Sequence, residues 1–177
     1  MFTRRGDTGE TDTGLRERVS KGSALVNVEG TLDETIAFIG NALALTLWDD
    51  IRNDLRQMQD DLFTLGEHIT TSGKGRKIVP ERTVWLEERV KVYRSEIGKI
   101  RLFVVPDGSQ QATSLHMART VSRRLERYAV SVTRELQLEM PILTYLNRIS
   151  SLLFMLAIVS NKRQGIEERI WSIHRES

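Results

Sequence analysis

Apolar residues recur at alternating spacings of three and four along most of this chain, the period of helices that bury one face. Leu32, Ile36, Ile39 and Leu43 form the first such stripe. Thr31-Leu32-Asp33-Glu34 precedes it as a capping box, with Thr at the N-cap and Glu three residues on, so the spacing predicts a helix from about 32 to 46. Ile51, Leu55, Met58, Leu62 and Leu65 mark a second helix, from about Trp48 to His68. Pro80 suits the first turn of a third, in which Leu86, Val90, Tyr93 and Ile97 keep the same step until Gly98 closes it. Ser109 is placed to cap a fourth helix running to about Leu136, with Ala118, Val121, Leu125, Tyr128 and Val132 on its apolar side. Pro141 opens a fifth, to about Asn161, which is apolar on more than one side.

Between these lie polar connections. Residues 71–76 read as a surface loop, and 102–108 as a short extended piece ending in a turn. Residues 1–22 are rich in Gly, Thr, Asp and Arg without an apolar period. They read as a loop ordered by a ligand or a neighbour. Residues 162–177 form a short tail able to dock. With no convincing strand, the expectation is an all-α, five-helix up-down bundle in one domain spanning 1–177, its core within 31–161. Apolar surface left over on several helices points to burial between subunits.

Composition narrows the classes. A chain of 177 residues can bury a real core, and a net charge of +2 gives no reason to expect a polyanion-coating protein. The absence of Cys excludes disulfides, thiolate metal sites and a thiol nucleophile, and fits the cytoplasm. The N-terminus lacks the apolar core of a signal peptide. The uninterrupted apolar run 152–159 is too short to span a bilayer, so no membrane is expected as a partner.

The chemistry concentrates in Leu115-His116-Met117-Ala118-Arg119-Thr120-Val121-Ser122-Arg123-Arg124-Leu125-Glu126-Arg127. At about 100° per residue, Arg119, Arg123 and Arg127 stack one turn apart on one side of the helix. Stacked like charges cost an isolated helix roughly 0.2–0.5 kcal/mol per pair. The stripe therefore calls for an anion, and a polyphosphate or carboxylate matches the guanidinium fork. A solvated face is the plainer explanation, but such a face normally interleaves acids, and Glu126 alone does so here. Nucleic acid is disfavoured by the small net charge and the lack of an aromatic stripe. The glycine-containing loop 6–14 has no Lys-Ser/Thr ending and no strand before it, so it is not a P-loop. His116 has no partners at metal-binding spacing, which leaves a capping or interface hydrogen bond. Asn147, polar within an apolar helix, needs either a helix–helix bond or a ligand. Phe103 could be core, and Trp48, Trp85 and Trp171 read as packing or subunit contacts.

Four motifs occur in one order: Phe2-Thr3-Arg4-Arg5-Gly6-Asp7-Thr8-Gly9-Glu10-Thr11 with Arg18-Val19-Ser20-Lys21, Gly30-Thr31-Leu32-Asp33-Glu34, Phe103-Val104-Val105-Pro106-Asp107-Gly108-Ser109 leading into the arginine helix, and Tyr145-Leu146-Asn147-Arg148-Ile149-Ser150. Together they resemble the PduO-type cob(I)alamin adenosyltransferases. The resemblance implies a homotrimer of helical bundles with sites between subunits. The implied reaction moves the 5′-deoxyadenosyl group of ATP onto the cobalt of a reduced corrinoid such as cobalamin, with Mg²⁺ assisting and triphosphate released. It implies that ATP is held by Thr3, Arg4, Arg5, Gly6, Thr11 and Asp12 of the N-terminal loop, by Lys21, by Arg123, Arg124, Glu126 and Arg127, and by Asn147. Asp33 paired with Arg119, and Phe103 against the corrin, would shape the reacting centre. No protein metal ligand is implied. A corrinoid reductase or an adenosylcobalamin-dependent enzyme would supply the substrate or take the product.

Four positions depart from the family pattern. Glu29 replaces an aromatic, Ile36 an Asn, Asp107 a Gly and Ser151 an Asp. Asp107 would strain the backbone if the Gly it replaces had a positive φ. Such changes leave two other readings open: a carrier that binds corrinoid or nucleotide without catalysis, and a purely structural helical oligomer.

Overall fold

The computed structural model describes residues 4–14, 17–71, 73–100, 103–136 and 138–171. Two short strands, β1 (Glu10–Asp12) and β2 (Arg18–Ser20), precede α1 (Ala24–Leu45), α2 (Asp49–Thr70), α3 (Pro80–Ile97), α4 (Gln110–Ser131), α5 (Thr133–Leu136) and α6 (Met140–Arg163). Five of the helices are long, as the periodicity predicts. α6 is the central one. Its residues Leu146, Ile149, Leu152, Leu153, Leu156 and Val159 have no exposure. By length and composition α6 could cross a bilayer, but two-thirds of its apolar window is buried inside the bundle. α6 packs on α4 and α3, α4 on α1, and α1 on α2.

α1 begins eight residues before the predicted start. Ser23 is its N-cap and accepts from the backbone N–H of Val26, while Thr31 lies two turns inside. The Thr31 and Thr35 hydroxyls donate to the carbonyls of Asn27 and Thr31, at 2.7 Å each, so neither is orphaned by burial. The buried stripe of α1 is Val28, Leu32, Thr35, Ile39 and Ala42, leaving Ile36 and Leu43 half-buried at its edge. Asp33 is consequently in mid-helix, where attraction of a carboxylate to a helix N-terminus does not account for it. α2 matches its predicted seam: Ile51, Leu55, Met58, Leu62 and Leu65 are all fully buried. α4 ends earlier than predicted, with Val132 at its C-cap and α5 following as a separate turn. Tyr128 points outward rather than joining the apolar side.

The strands also depart from the expected loop. Thr11 pairs with Val19 in antiparallel register, flanked by Glu10 with Ser20 and Asp12 with Arg18. A Cβ on Gly14 would meet the Thr70 carbonyl oxygen at 2.9 Å, so the hairpin tip lies against the end of α2.

α2 and α3 are tied together by charge. The Asp61 carboxylate accepts two bonds from the Arg82 Nε and Nη2 (2.9–3.0 Å) and one from the Tyr145 hydroxyl at 2.9 Å. One heptad away, Asp54 accepts from Arg89 at 2.8 Å and from the Tyr93 hydroxyl at 2.6 Å. Arg163 of α6 forms a third rung, to Asp50 and Glu96 at 2.8 Å each.

Candidate functional site

α4 carries the arginine ladder because Ser109 starts it cleanly, accepting from the backbone N–H of Ala112 at 3.1 Å. Gly108 just before it has φ of 104°, and a Cβ there would collide with the Asn161 amide. That amide is the clasp of the turn. Its Oδ1 accepts from the Ser109 N–H (2.9 Å), and its Nδ2 donates to the Asp107 carbonyl and to Glu168 (3.0 Å each). Nothing in the sequence marks Asn161 for this role, because a buried amide at a helix end has no motif to announce it.

Asp107 itself is unstrained, since Arg4 is the one non-glycine with positive φ among the described residues. The glycine requirement belongs to Gly108. The Asp107 carboxylate caps the Gly108 N–H at 2.8 Å and pairs with Arg169 at 3.0 Å. The tail is thereby held beside Phe103: Val105 donates to the Arg169 carbonyl (2.8 Å) and Trp171 to the Phe103 carbonyl (2.7 Å). Phe103 is 51 % exposed, so it is not core; it stands free to meet a ligand or neighbour.

On the ladder, Arg119, Arg123 and Arg127 have no carboxylate partner among the described residues. Arg127 makes one bond, to the Arg123 carbonyl at 3.2 Å. Arg119 is half-buried, and its Nε has no hydrogen-bond partner. Burial, then the neighbouring charge of Arg123, holds its pKa below the usual arginine range. Arg124 differs: it is ion-paired with Glu34 and ties α4 to α1. Glu126 accepts from the Asn147 amide at 2.6 Å, and Asn147 accepts from Arg148 at 2.6 Å. Asn147 is exposed, so its helix–helix bond leaves it within reach of a ligand and no burial cost arises.

His116 sits one turn before Arg119 with 3 % exposure, and neither ring nitrogen has a partner within the protomer. Burial, then the charge of Arg119, pushes its pKa down to about 4. The expected capping or interface bond is therefore absent within one protomer.

Two clefts divide the predicted residues. One, of about 400 Å³, is lined by Val90, Arg94, Ile100, Arg119, Arg123, Ser150, Ser151, Phe154 and Met155. The other, of about 430 Å³, lies between α1 and α2 and includes Glu29, Asp33, Ile36, Phe63, Glu67 and Arg76. They share no residue, and no ion pair or hydrogen bond joins Asp33 to Arg119 among the described residues of one protomer. Glu29, one of the departures, has a buried Oε1 without a partner, and burial raises its pKa.

The tip of the N-terminal hairpin, at Gly14, lies against Thr70, which lines the second cleft. Lys21 donates to the Gly6 carbonyl at 2.8 Å, folding the segment back on itself. Arg5 pairs with Asp12 at 3.2 Å, and Arg18 bridges Glu10 and Asp12. Thr11 is held in β1, and Arg4 has φ of 61°. Thr3 lies outside the described residues.

These features define a class: a helical bundle with a cationic, partly apolar cleft on an arginine-bearing helix. Comparison with known proteins makes the class specific. The family model described as cobalamin adenosyltransferase matches residues 1–160. The chain is 37 % identical to a corrinoid adenosyltransferase of Bacillus subtilis over 172 residues, covering 94 % of this chain and 89 % of that protein. It is 36 % identical to a cobalamin adenosyltransferase of Cupriavidus metallidurans, covering 100 % and 96 %. Its fold is similar to that of a variant PduO-type ATP:corrinoid adenosyltransferase from Lactobacillus reuteri complexed with cobalamin and ATP. There the TM-score is 0.90 at 29 % identity, covering 96 % of this chain and 98 % of the other. This chain belongs to the cobalamin adenosyltransferase family, and it is an enzyme of that kind.

Proposed function

We propose that the protein transfers the 5′-deoxyadenosyl group of ATP to the Co(I) of a reduced corrinoid at sites formed between subunits of a homotrimer. The cobalt is the nucleophile. It attacks C5′, the C5′–O bond breaks, and the bonding pair leaves with triphosphate. No proton need be moved, so the protein's work is positioning and charge stabilisation. The observation that carries this reading is the run of arginines on α4 that lack carboxylate partners, in a chain of this family.

Arg123 and Arg127 take the charge that develops on the departing triphosphate. Asn147, held by Glu126, orients toward the nucleotide. The hairpin with Arg5, Gly6, Thr11, Asp12 and Lys21 covers the triphosphate from a neighbouring protomer, because it lies on the α1/α2 side. Asp33 from that same side pairs with Arg119 of the adjoining protomer, and so supplies the counter-charge the half-buried guanidinium lacks. Phe103 excludes water from the lower corrin face. Arg124 is assigned to bracing rather than to phosphate. Mg²⁺ accompanies ATP; among the described residues no three His, Asp or Glu lie together to hold a metal ion, so phosphate oxygens would be its main ligands. A corrinoid reductase and an adenosylcobalamin-dependent enzyme are the partners this chemistry calls for, in the cytoplasm.

The test is MgATP-dependent conversion of chemically reduced cobalamin, followed by absorbance. Adenosylated product is expected. Binding of both substrates without conversion would replace the enzyme with a carrier.

A further inference from the structure

The cleft beneath the arginine ladder has a wall that the sequence motifs do not include. Arg94, in the last turn of α3, lines it together with Arg119 and Arg123 of α4. Arg94 is exposed and has no hydrogen-bond or ion-pair partner among the described residues. No lining residue is acidic, and Ser151, also exposed, occupies the position where the family pattern places an Asp. Within one protomer, a cleft of about 400 Å³ thus concentrates three guanidiniums with no carboxylate in its lining, and Asp33 from the adjoining protomer would balance only Arg119. Mutual repulsion in a partly buried space costs free energy unless an anion enters. Apart from Ser150, the rest of the lining, Val90, Ile100, Phe154 and Met155, is apolar. A cationic rim over an apolar floor suits a phosphate that is attached to a ring or hydrocarbon body.

We infer that Arg94 is a further phosphate-binding residue of this site, reaching it from α3 opposite the α4 ladder. The inference rests on the adenosyltransferase reading. Within that reading, the phosphate is either the triphosphate of ATP or the phosphodiester of the corrinoid's nucleotide tail. Arg94 and Ser151 together would then be features by which this chain grips phosphate more strongly than a cleft with an acid at 151.

Two arms separate the sources. Calorimetric binding of tripolyphosphate to the ligand-free protein is compared for wild type, Arg94→Ala and Arg94→Lys. Steady-state KM is then measured for ATP, for cobalamin, and for cobinamide, a corrinoid without the nucleotide tail. Arg94→Ala is expected to weaken one phosphate partner about tenfold, with melting temperature near wild type and Arg94→Lys intermediate. Weaker tripolyphosphate binding with a raised KM for ATP identifies the triphosphate. A raised KM for cobalamin, with cobinamide unaffected, identifies the tail phosphodiester. Unchanged values throughout, or an equal loss for cobalamin and cobinamide with tripolyphosphate binding intact, would overturn the inference. Should the wild type fail to adenosylate at all, the functional reading falls, while the tripolyphosphate arm still decides the role of Arg94.

Discussion

Arg123 is exposed, its guanidinium is unpaired, and it lines the cationic cleft, so its contribution to folding is small and its contribution to a bound triphosphate large. Arg123→Ala should cost at least about a hundredfold in kcat, the scale for removing one donor from a developing anion. The melting temperature should stay within about 1–2 °C, as for surface substitutions. Near-normal turnover in the absorbance assay would remove Arg123 from the mechanism. His116 offers the opposite case, a group whose role is read through stability. Its pKa of about 4 in the fold lies below the usual histidine value, so between pH 4 and 6.5 the unfolded chain binds the extra proton. Stability from this group is complete above pH 6.5 and declines as pH falls toward 4. The decline is at most roughly 1.4 kcal/mol for each pH step of one within that window. Urea titrations across that range should show His116→Gln with a flatter pH dependence than wild type; identical slopes would mean that His116 is not held neutral. The arginine ladder was legible from sequence because a four-residue repeat of one charge type is a surface property of any helix. The His116 environment was not, because its burial depends on Phe154, which reaches it from another helix at 6.1 Å between ring centroids.

At the scale of elements, α3 shows how little of a docking can be read from apolar period alone. Its seam residues Leu86 and Tyr93 are buried, but Val90 faces the cleft, and the helix is fixed to α2 through Arg82 and Arg89. Asp54 and Asp61 are each only 5 % exposed, so their charges are stabilised by those arginines and by tyrosine hydroxyls. For Asp54 the desolvation outweighs the bonds from Tyr93 and Arg89, and its pKa is raised. Arg82→Met should cost about 3 kcal/mol in urea unfolding, because it leaves the Asp61 carboxylate buried without its cation. Tyr145→Phe should cost about 1 kcal/mol, because Arg82 remains. Equal effects of the two changes would show that the ion pair is dispensable. Sequence spacing could not give these rungs, since the partners are 21 to 84 residues apart. The start of α1 was missed for a related reason. Thr31 and Glu34 satisfy a capping pattern locally, but Val28 completes the buried stripe one turn earlier, and packing of that stripe decides the boundary. The hairpin was missed because strands of three residues carry too little alternation to be seen. Its bonds are mostly exposed, and MgATP should increase amide protection of residues 4–21 in hydrogen exchange. Unchanged protection would separate the hairpin from the nucleotide.

At the scale of the whole molecule, the proposed site is divided between two faces of the protomer. Asp33 and the N-terminal hairpin lie on the α1/α2 side, while Arg119, Arg123 and Asn147 lie on α4 and α6. A half-buried Arg119 with an unsatisfied Nε and an exposed Asp33 without an ion-pair partner among the described residues are complementary, and the proposed cyclic assembly would satisfy both at each interface. That geometry makes a demanding prediction. Asp33→Asn and Arg119→Ala should each abolish adenosylation when every subunit carries the change. Co-refolded in equal amounts, the two variants should regain about a quarter of wild-type turnover, because about one interface in four then joins an intact Asp33 to an intact Arg119. Size-exclusion chromatography with light scattering would verify that the mixed species are trimers. If both residues served a site within one subunit, mixing could restore nothing, since no chain in the mixture would carry both. Recovery therefore tests the shared site directly, independent of how either variant folds alone.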